Sequence, residues 1–259
     1  MCHITKNHHC GVDSKNLKLK SLSCCRIFCH QNSKRFVQIP LMSSIPVLSR
    51  YKTVWSNMDL KLRPFFLGGV MKESSNRPPA MVPNKGAYMM KYDLPRLRQY
   101  YQVPLNVPKN PAEVMFEKGS LTAMRFLTAL DMEHPELTEN LSRELWMRAW
   151  SRVNIKIQPF RYKIFYNICA ARKAGISDEI AKHAISRIKD DDVKNRLKKN
   201  TDEALSYGTF GAPTIIADVN GKKEFIFGSD RFDILAMLIV WLKTGDSSML
   251  TDNGSVNEL

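Results

Sequence analysis

The feature that most constrains this fold is a long helical stretch enclosed between two segments with strand patterns. Residues 95–207 carry the hydrophobic spacing of amphipathic helices. Before them, apolar and charged side chains alternate over residues 58–63, and Pro64 closes a predicted strand. After them, two apolar runs flank Asn220-Gly221, the signal for a tight hairpin, and an apolar helix follows. This order predicts an α/β fold in which a helical domain interrupts a small sheet.

Without the helical stretch, the chain reads as the second half of a β-α-β unit followed by two strands and a helix. That order is a thioredoxin-like plan. We therefore predict that residues 47–92 and 208–245 form a thioredoxin-like domain and that residues 93–207 form an inserted all-helical domain. Residues 246–259 are predicted to be a polar tail.

A proline stands directly before the third strand of this plan, in the dipeptide Ala212-Pro213. Thioredoxin-like folds usually have a cis proline here, in a tight turn. The turn leaves the backbone N–H and C=O of Ala212 unpaired, so an extended thiol peptide can add there like a short strand. A trans proline that simply starts an edge strand is the alternative.

The first 46 residues differ in composition from the rest of the chain. Residues 1–50 hold eight Lys or Arg against the single acid Asp13, and this excess of +7 is half of the formal charge of +14. Such a leader is typical of a mitochondrial targeting segment or a disordered basic tail. We expect no nucleic-acid partner, because no recognition motif accompanies the charge.

Five of the six cysteines also lie in this leader. Among the cysteines, only Cys25 and Cys29 have the spacing of zinc ligands, so we expect no metal site. We expect residues 1–46 to be a disordered or targeting segment whose thiols are incidental. The sequence contains no run of 18 apolar residues, so it predicts no transmembrane segment. It also lacks the apolar region of a secretory signal peptide. We therefore expect a reducing compartment with free thiols.

Three runs of sequence resemble the kappa-class glutathione transferases, relatives of the DsbA-like oxidoreductases and of hydroxychromene-carboxylate isomerase. They are LRPFFLGGVMKESSNRPPAMVPNKGAYMM, EKGSLTAMRFLTALDMEHPELTENLSRELWMRAWSR and YGTFGAPTIIADVNGKKEFIFGSDRFDILAML. The resemblance covers residues 47–243. It implies a DsbA-like fold, a homodimer, and glutathione as cosubstrate with no further cofactor. The implied activity is conjugation of glutathione to small electrophiles and reduction of peroxides.

The resemblance also implies where the glycyl and cysteinyl parts of glutathione bind. Asn76, in SSNRPP, looks like the family's side-chain contact to the glycyl end, and Lys85, in PNKGAY, looks like its basic partner for a carboxylate. Ala212 holds the place where the family's backbone pairs with the cysteinyl unit. Pro213 is then expected to be cis.

For the γ-glutamyl end, Ser229 and Asp230, in GSDR, match the pair that holds its amine and carboxylate. The physical chemistry agrees, because a helix N-terminus attracts a carboxylate and an acid there can take an ammonium group. Apart from the resemblance, the pair reads as an ordinary helix N-cap.

The family's catalytic serine, in an Asp-Val-x-Ser-Pro-Tyr-Ser motif after the first strand, has no counterpart, since Ser-Pro-Tyr occurs nowhere in this sequence. That hydroxyl hydrogen-bonds the glutathione sulfur, and about 1.4 kcal/mol of thiolate stabilisation lowers a thiol pKa by about one unit. The first strand itself is lost or replaced, and residues 36–39 are the predicted replacement. Ser43 and Ser44 would then start the next helix, which makes Ser44 the candidate catalytic stand-in. An altered first exon, in a splice form or a gene model, is the explanation that we favour.

Two other functions fit the same residues. One is a glutathione-dependent isomerase of the hydroxychromene-carboxylate type, and the other is a non-catalytic glutathione-binding or scaffold protein. A thiol-disulfide oxidoreductase is disfavoured, because no Cys-x-x-Cys lies near the first helix. The basic leader favours the mitochondrion, with a peroxisomal or cytoplasmic location as the alternative; the final Asn-Glu-Leu is not a Ser-Lys-Leu signal.

Overall fold

A computed structural model of the chain describes residues 23–29, 47–50, 58–77, 81–106, 121–150, 161–219 and 222–244. Its sheet is built from the strands β1 (Ser23–Cys29), β2 (Met58–Pro64), β3 (Thr214–Val219) and β4 (Lys222–Phe227). Their spatial order is β2-β1-β3-β4. β1 is parallel to β2 and antiparallel to β3, and β3 and β4 are antiparallel, which confirms the predicted pairing of the last two strands.

The central strand, β1, comes from the leader. Ile27 lies opposite Leu62 on one side and opposite Ile215 on the other. The prediction that a replacement strand must fill this place is therefore confirmed, but its position was wrong. The predicted residues 36–39 lie outside the described ranges, and Ser23–Cys29 is a strand although residues 1–46 were expected to be disordered or a targeting segment.

The proline- and glycine-rich stretch after β2 suggests a loop, but the structure places helices in it. They are α1 (Leu67–Glu73), α2 (Pro83–Tyr88), a π-helical turn (Met89–Asp93) and α3 (Leu94–Tyr101). Pro83 occupies the first turn of α2, where its missing N–H costs nothing. Val70 and Met71 of α1 are buried, so packing outweighs the poor helix propensity of Gly68 and Gly69.

The predicted helical insertion follows in the expected order. It contains α4 (Leu121–Glu133), a 3₁₀ turn (Pro135–Leu137), α5 (Thr138–Trp150), α6 (Arg161–Lys173), α7 (Asp178–Ser186), a second 3₁₀ turn (Arg187–Lys189) and α8 (Asp191–Ser206). Phe126, Leu130 and Leu141 are fully buried in one core that these helices share. None of the helices in the described ranges is long and apolar enough to span a membrane.

Two side chains of α8 fasten the insertion to the sheet. Asn200 donates a hydrogen bond from Nδ2 to the carbonyl oxygen of Pro64 at 2.9 Å, and Thr201 Oγ1 accepts one from the amide of Phe66 at 3.0 Å. After β4, a third 3₁₀ turn (Ser229–Arg231) leads into α9 (Phe232–Thr244). Helix α8 therefore fixes the end of β2, next to the edge of the sheet where the predicted site residues lie.

Asp131, in the last turn of α4, is a half-buried carboxylate. It accepts a hydrogen bond from Thr138 Oγ1 at 3.0 Å. Burial raises the pKa of this carboxyl, and the Thr138 hydroxyl, Arg63 and Arg196 oppose that rise only in part. Because the folded-state pKa lies above the unfolded one, the group favours the fold when it is protonated. That contribution is lost as the pH rises through the folded-state pKa.

We expect Asp131→Asn to gain stability relative to the wild type as the pH rises from about 4, until the folded-state carboxyl has ionised. Urea denaturation at a series of pH values measures this. Asp178→Asn is the control of opposite sign, because the hydrogen bond from Arg172 lowers the pKa of Asp178, and this contribution is lost as the pH falls. A flat pH profile for the Asp131 variant would contradict the account.

Candidate active site

The loop between α8 and β3, residues 208–213, is the centre of the candidate site. The Ala212-Pro213 peptide bond is cis, which confirms the expectation from the resemblance. Within the described ranges, no hydrogen bond engages the amide or the carbonyl of Ala212. The residue is nevertheless 0% exposed. A peptide can therefore pair with the backbone of Ala212 only if the residues that pack over it move aside.

Asn76 lies beside this loop. Its side-chain Nδ2 donates a hydrogen bond to the carbonyl oxygen of Phe210 at 2.6 Å, across 134 positions of sequence. Its backbone amide donates a hydrogen bond to the carbonyl oxygen of Met71, near the end of α1, at 3.1 Å. An asparagine side chain has two donor hydrogens and one acceptor oxygen, so a donor and the oxygen stay available for a ligand.

Ser229 and Asp230 reach the same loop through their neighbour Gly228. The amide of Gly228 donates a hydrogen bond to the carbonyl oxygen of Pro213 at 3.1 Å. Ser229 is buried, whereas Asp230 is exposed and its Oδ2 lies 2.5 Å from Nη1 of Arg231. The N-cap of the 3₁₀ turn is Gly228, so the interpretation of Ser229 and Asp230 as a simple N-cap pair is not what the structure shows.

Gly228 itself is required by the geometry. Its φ of +94° lies in the region that favours glycine, and a Cβ at this position would clash with Oδ1 of Asp230. A side chain at this position would therefore displace the exposed carboxylate of Asp230 from its place beside Gly228.

Two predicted residues remain, Lys85 and Ser44. Lys85 is exposed on α2, and no hydrogen bond or ion pair among the described residues links it to the cis-proline loop. Ser44, the candidate catalytic stand-in, lies outside the described ranges. Those ranges also contain no group of three His, Cys, Asp or Glu side chains that could hold a metal ion.

The sequence reasoning missed Tyr101, the last residue of α3. Its hydroxyl donates a hydrogen bond to the carbonyl oxygen of Ser229 at 3.0 Å. It missed the ring of Phe210 as well, which is 39% exposed and packs at a tilt of 43° against the ring of Phe227, with centroids 4.3 Å apart. No local pattern marks either residue, since both contacts join segments that are distant in sequence.

Comparison with known proteins agrees with this architecture. Residues 43–240 match the DSBA-like thioredoxin domain family, a range that begins after β1. The structure of a 2-hydroxychromene-2-carboxylate isomerase superposes with a TM-score of 0.64, covering 87% of this chain and 98% of that one. At 16% identity this likeness shows the fold alone. The class is thus a DsbA-like thioredoxin-fold protein.

Two curated relatives narrow the class. The proteins named glutathione S-transferase kappa 1 from Homo sapiens and Rattus norvegicus are each 47% identical to this chain over 193 residues. The aligned region covers 74% of this chain and 82% of each relative. The chain belongs to the kappa-class glutathione S-transferases.

Proposed function

We propose that this chain binds glutathione across the cis-proline loop and conjugates its sulfur to small electrophiles. One observation carries the proposal beyond family membership. Two hydrogen bonds, from Asn76 to Phe210 and from Gly228 to Pro213, hold two other segments of the chain against the cis-proline loop and so bring three segments together. These segments hold the residues that the resemblance assigns to the two ends and the middle of glutathione.

Each part of the tripeptide has a chemically suitable partner. The free donor of Asn76 suits the glycyl carboxylate, and the backbone of Ala212 suits the extended cysteinyl unit. At the other end, Asp230 is an exposed anion that can take the γ-glutamyl ammonium group. The amides at the start of the Ser229–Arg231 turn and of α9 suit the adjacent carboxylate.

The proposed reaction is a nucleophilic substitution. The thiol of glutathione loses its proton to water, the sulfur forms a bond to the electrophilic carbon, and the leaving group departs with the electron pair of the broken bond. Peroxide reduction, which we propose as the second activity, consumes two glutathione molecules and gives glutathione disulfide, an alcohol and water. Ser44 is our candidate for the hydroxyl that donates a hydrogen bond to the sulfur, and this proposal rests on the sequence alone.

The second candidate function is glutathione binding without turnover. One observation favours it: the Ser-Pro-Tyr sequence, which holds the family's catalytic serine, is missing from this chain. A thiol that is not stabilised as the thiolate keeps a pKa near ~8.5 and reacts slowly at neutral pH. Conjugation and binding must therefore be measured separately.

We expect the wild type to conjugate glutathione to a chloronitroarene faster than the uncatalysed reaction, with saturation in glutathione. Asp230→Asn should raise the KM for glutathione by roughly tenfold, because it removes a charge-assisted hydrogen bond. Asp233→Asn is the matched control, another exposed acid at the start of α9, and should change KM less than threefold. Binding without catalysis would support the second function, and neither binding nor catalysis would contradict both.

The leader and the family resemblance support two further proposals, a mitochondrial location and a homodimer. Because β1 begins at Ser23 and is the central strand, any targeting segment that is removed must end before that residue. Mass spectrometry of the N-terminus of the native protein tests this limit. Processing after Cys29 would contradict it.

A further inference from the structure

Tyr101 connects the end of α3 to the start of α9, 128 positions later in the chain. Its hydroxyl donates a hydrogen bond to the carbonyl oxygen of Ser229 at 3.0 Å. Its ring also meets the ring of Phe232 edge to face, with centroids 6.4 Å apart and an interplanar angle of 71°. One side chain thus holds both the backbone of Ser229 and the first residue of α9.

The backbone of Tyr101 is fixed in turn by Arg50. Nη1 of Arg50 donates to the carbonyl oxygen of Tyr101 at 2.8 Å, and Nη2 donates to that of Gln102 at 3.1 Å. These carbonyls end α3, where Gln102 is left-handed with φ of 50°, and a cation is favourable at a helix C-terminus. The hydroxyl of Tyr101 is therefore presented from a fixed backbone.

The surroundings of Tyr101 keep its hydroxyl protonated. Burial raises the pKa of the phenol above its ordinary value of 10.0, and the neighbouring Tyr100, Asp230 and Asp233 act in the same direction, while the side-chain hydroxyl of Ser229 acts against it. The hydroxyl remains a hydrogen-bond donor at neutral and mildly alkaline pH. The nearness of Asp230 and Asp233 also indicates that the phenol lies at the acidic start of α9.

We infer that Tyr101 is a positioning residue for the γ-glutamyl end of glutathione. By holding the carbonyl of Ser229, its hydroxyl fixes the turn from which the Asp230 carboxylate, the proposed partner of the γ-glutamyl amine, is presented. Tyr101 itself touches no reacting atom. The inference rests on the proposed function, and it adds a residue on α3 to the turn after β4 that is proposed to hold the γ-glutamyl end.

The test compares Tyr101→Phe with Tyr100→Phe. Both changes remove one hydroxyl and keep the ring, but Tyr100 is 75% exposed and its hydroxyl makes no described hydrogen bond. We expect Tyr101→Phe to raise the KM for glutathione roughly fivefold, with kcat within twofold and the unfolding midpoint retained, since one neutral hydrogen bond is lost. Tyr100→Phe should leave KM within twofold.

Two further readouts separate positioning from general support of the fold. Calorimetry with glutaryl-Cys-Gly, which lacks the γ-glutamyl amine, should show little difference between Tyr101→Phe and the wild type. The double variant of Tyr101→Phe with Asp230→Asn should lose less affinity than the two single losses combined, because both act on the same contact.

The outcomes distinguish the proposed function from the positioning role of Tyr101. If the wild type does not bind glutathione, the proposed function fails and this inference fails with it. If the wild type binds and Asp230→Asn weakens binding while Tyr101→Phe does not, the inference alone is overturned. Equal weakening of both ligands, or loss of the cooperative unfolding transition in Tyr101→Phe, would also overturn it in favour of a structural role.

Discussion

Ile27→Pro should abolish the cooperative unfolding transition of this chain. Ile27 lies in the middle of β1, paired with β2 on one side and β3 on the other. Proline lacks the backbone N–H that a central strand donates to its neighbours, and its ring disturbs the pairing. Loss of β1 would separate β2 from β3. The free energy of unfolding of a typical domain is only ~5–15 kcal/mol, which is too small to compensate for that loss. Circular dichroism during thermal and urea unfolding measures the effect.

Val37→Pro is the matched control for this prediction. Val37 lies in residues 36–39, which the sequence alone suggested as the replacement strand. Since Ser23–Cys29 already occupies the central place in the sheet, Val37→Pro should unfold with a midpoint close to that of the wild type. If Val37→Pro unfolds the chain and Ile27→Pro leaves it intact, β1 has been assigned to the wrong segment.

Gly228→Ala should impair both folding and glutathione binding. An alanine at φ of +94° is strained by about 1–2 kcal/mol, and its Cβ would displace the carboxylate of Asp230. The displaced carboxylate would leave the position that the proposed γ-glutamyl contact needs, and strain at Gly228 would weaken the hydrogen bond from its amide to the carbonyl oxygen of Pro213. We expect an increase of at least tenfold in the KM for glutathione, together with a lower unfolding midpoint.

Gly208→Ala separates the strain from the collision. Gly208 has φ of +79°, and a Cβ there would have no atom within 4 Å. The variant should therefore lose a similar amount of stability while its KM for glutathione stays within threefold of the wild type. Equal KM values for the two variants would show that the Asp230 carboxylate is not held over Gly228 for binding.

The sequence predicted the parts of the fold that local patterns determine. The alternation over residues 58–63 predicted β2, and the runs around Asn220-Gly221 predicted the pairing of β3 with β4. The order of the strands and helices then limited the architecture to a thioredoxin-like plan with an insertion, which the match over residues 43–240 shows. The signals for β2 and for the pairing of β3 with β4 each lie within one short stretch of the chain.

The missed features depend on contacts between distant segments. β1 was overlooked because its cysteines were interpreted as part of a leader, although its Ile27 and Phe28 favour strands; what makes it a strand is pairing with β2 and β3. Helix α1 contains two glycines, and the burial of Val70 in a core that also contains Ala204 of α8 and Ile216 of β3 decides its conformation. The contact between Tyr101 and Ser229 spans 128 positions, so no local pattern announces it.

The central claim is that this chain binds glutathione at the cis-proline loop, and calorimetric titration of the full chain with glutathione tests it most directly. The account predicts saturable binding at one site per chain for the wild type, and roughly tenfold weaker binding for Asp230→Asn with the unfolding midpoint unchanged. A wild-type protein that unfolds cooperatively but releases no binding heat at millimolar glutathione, and gains no thermal stability from it, would contradict the claim.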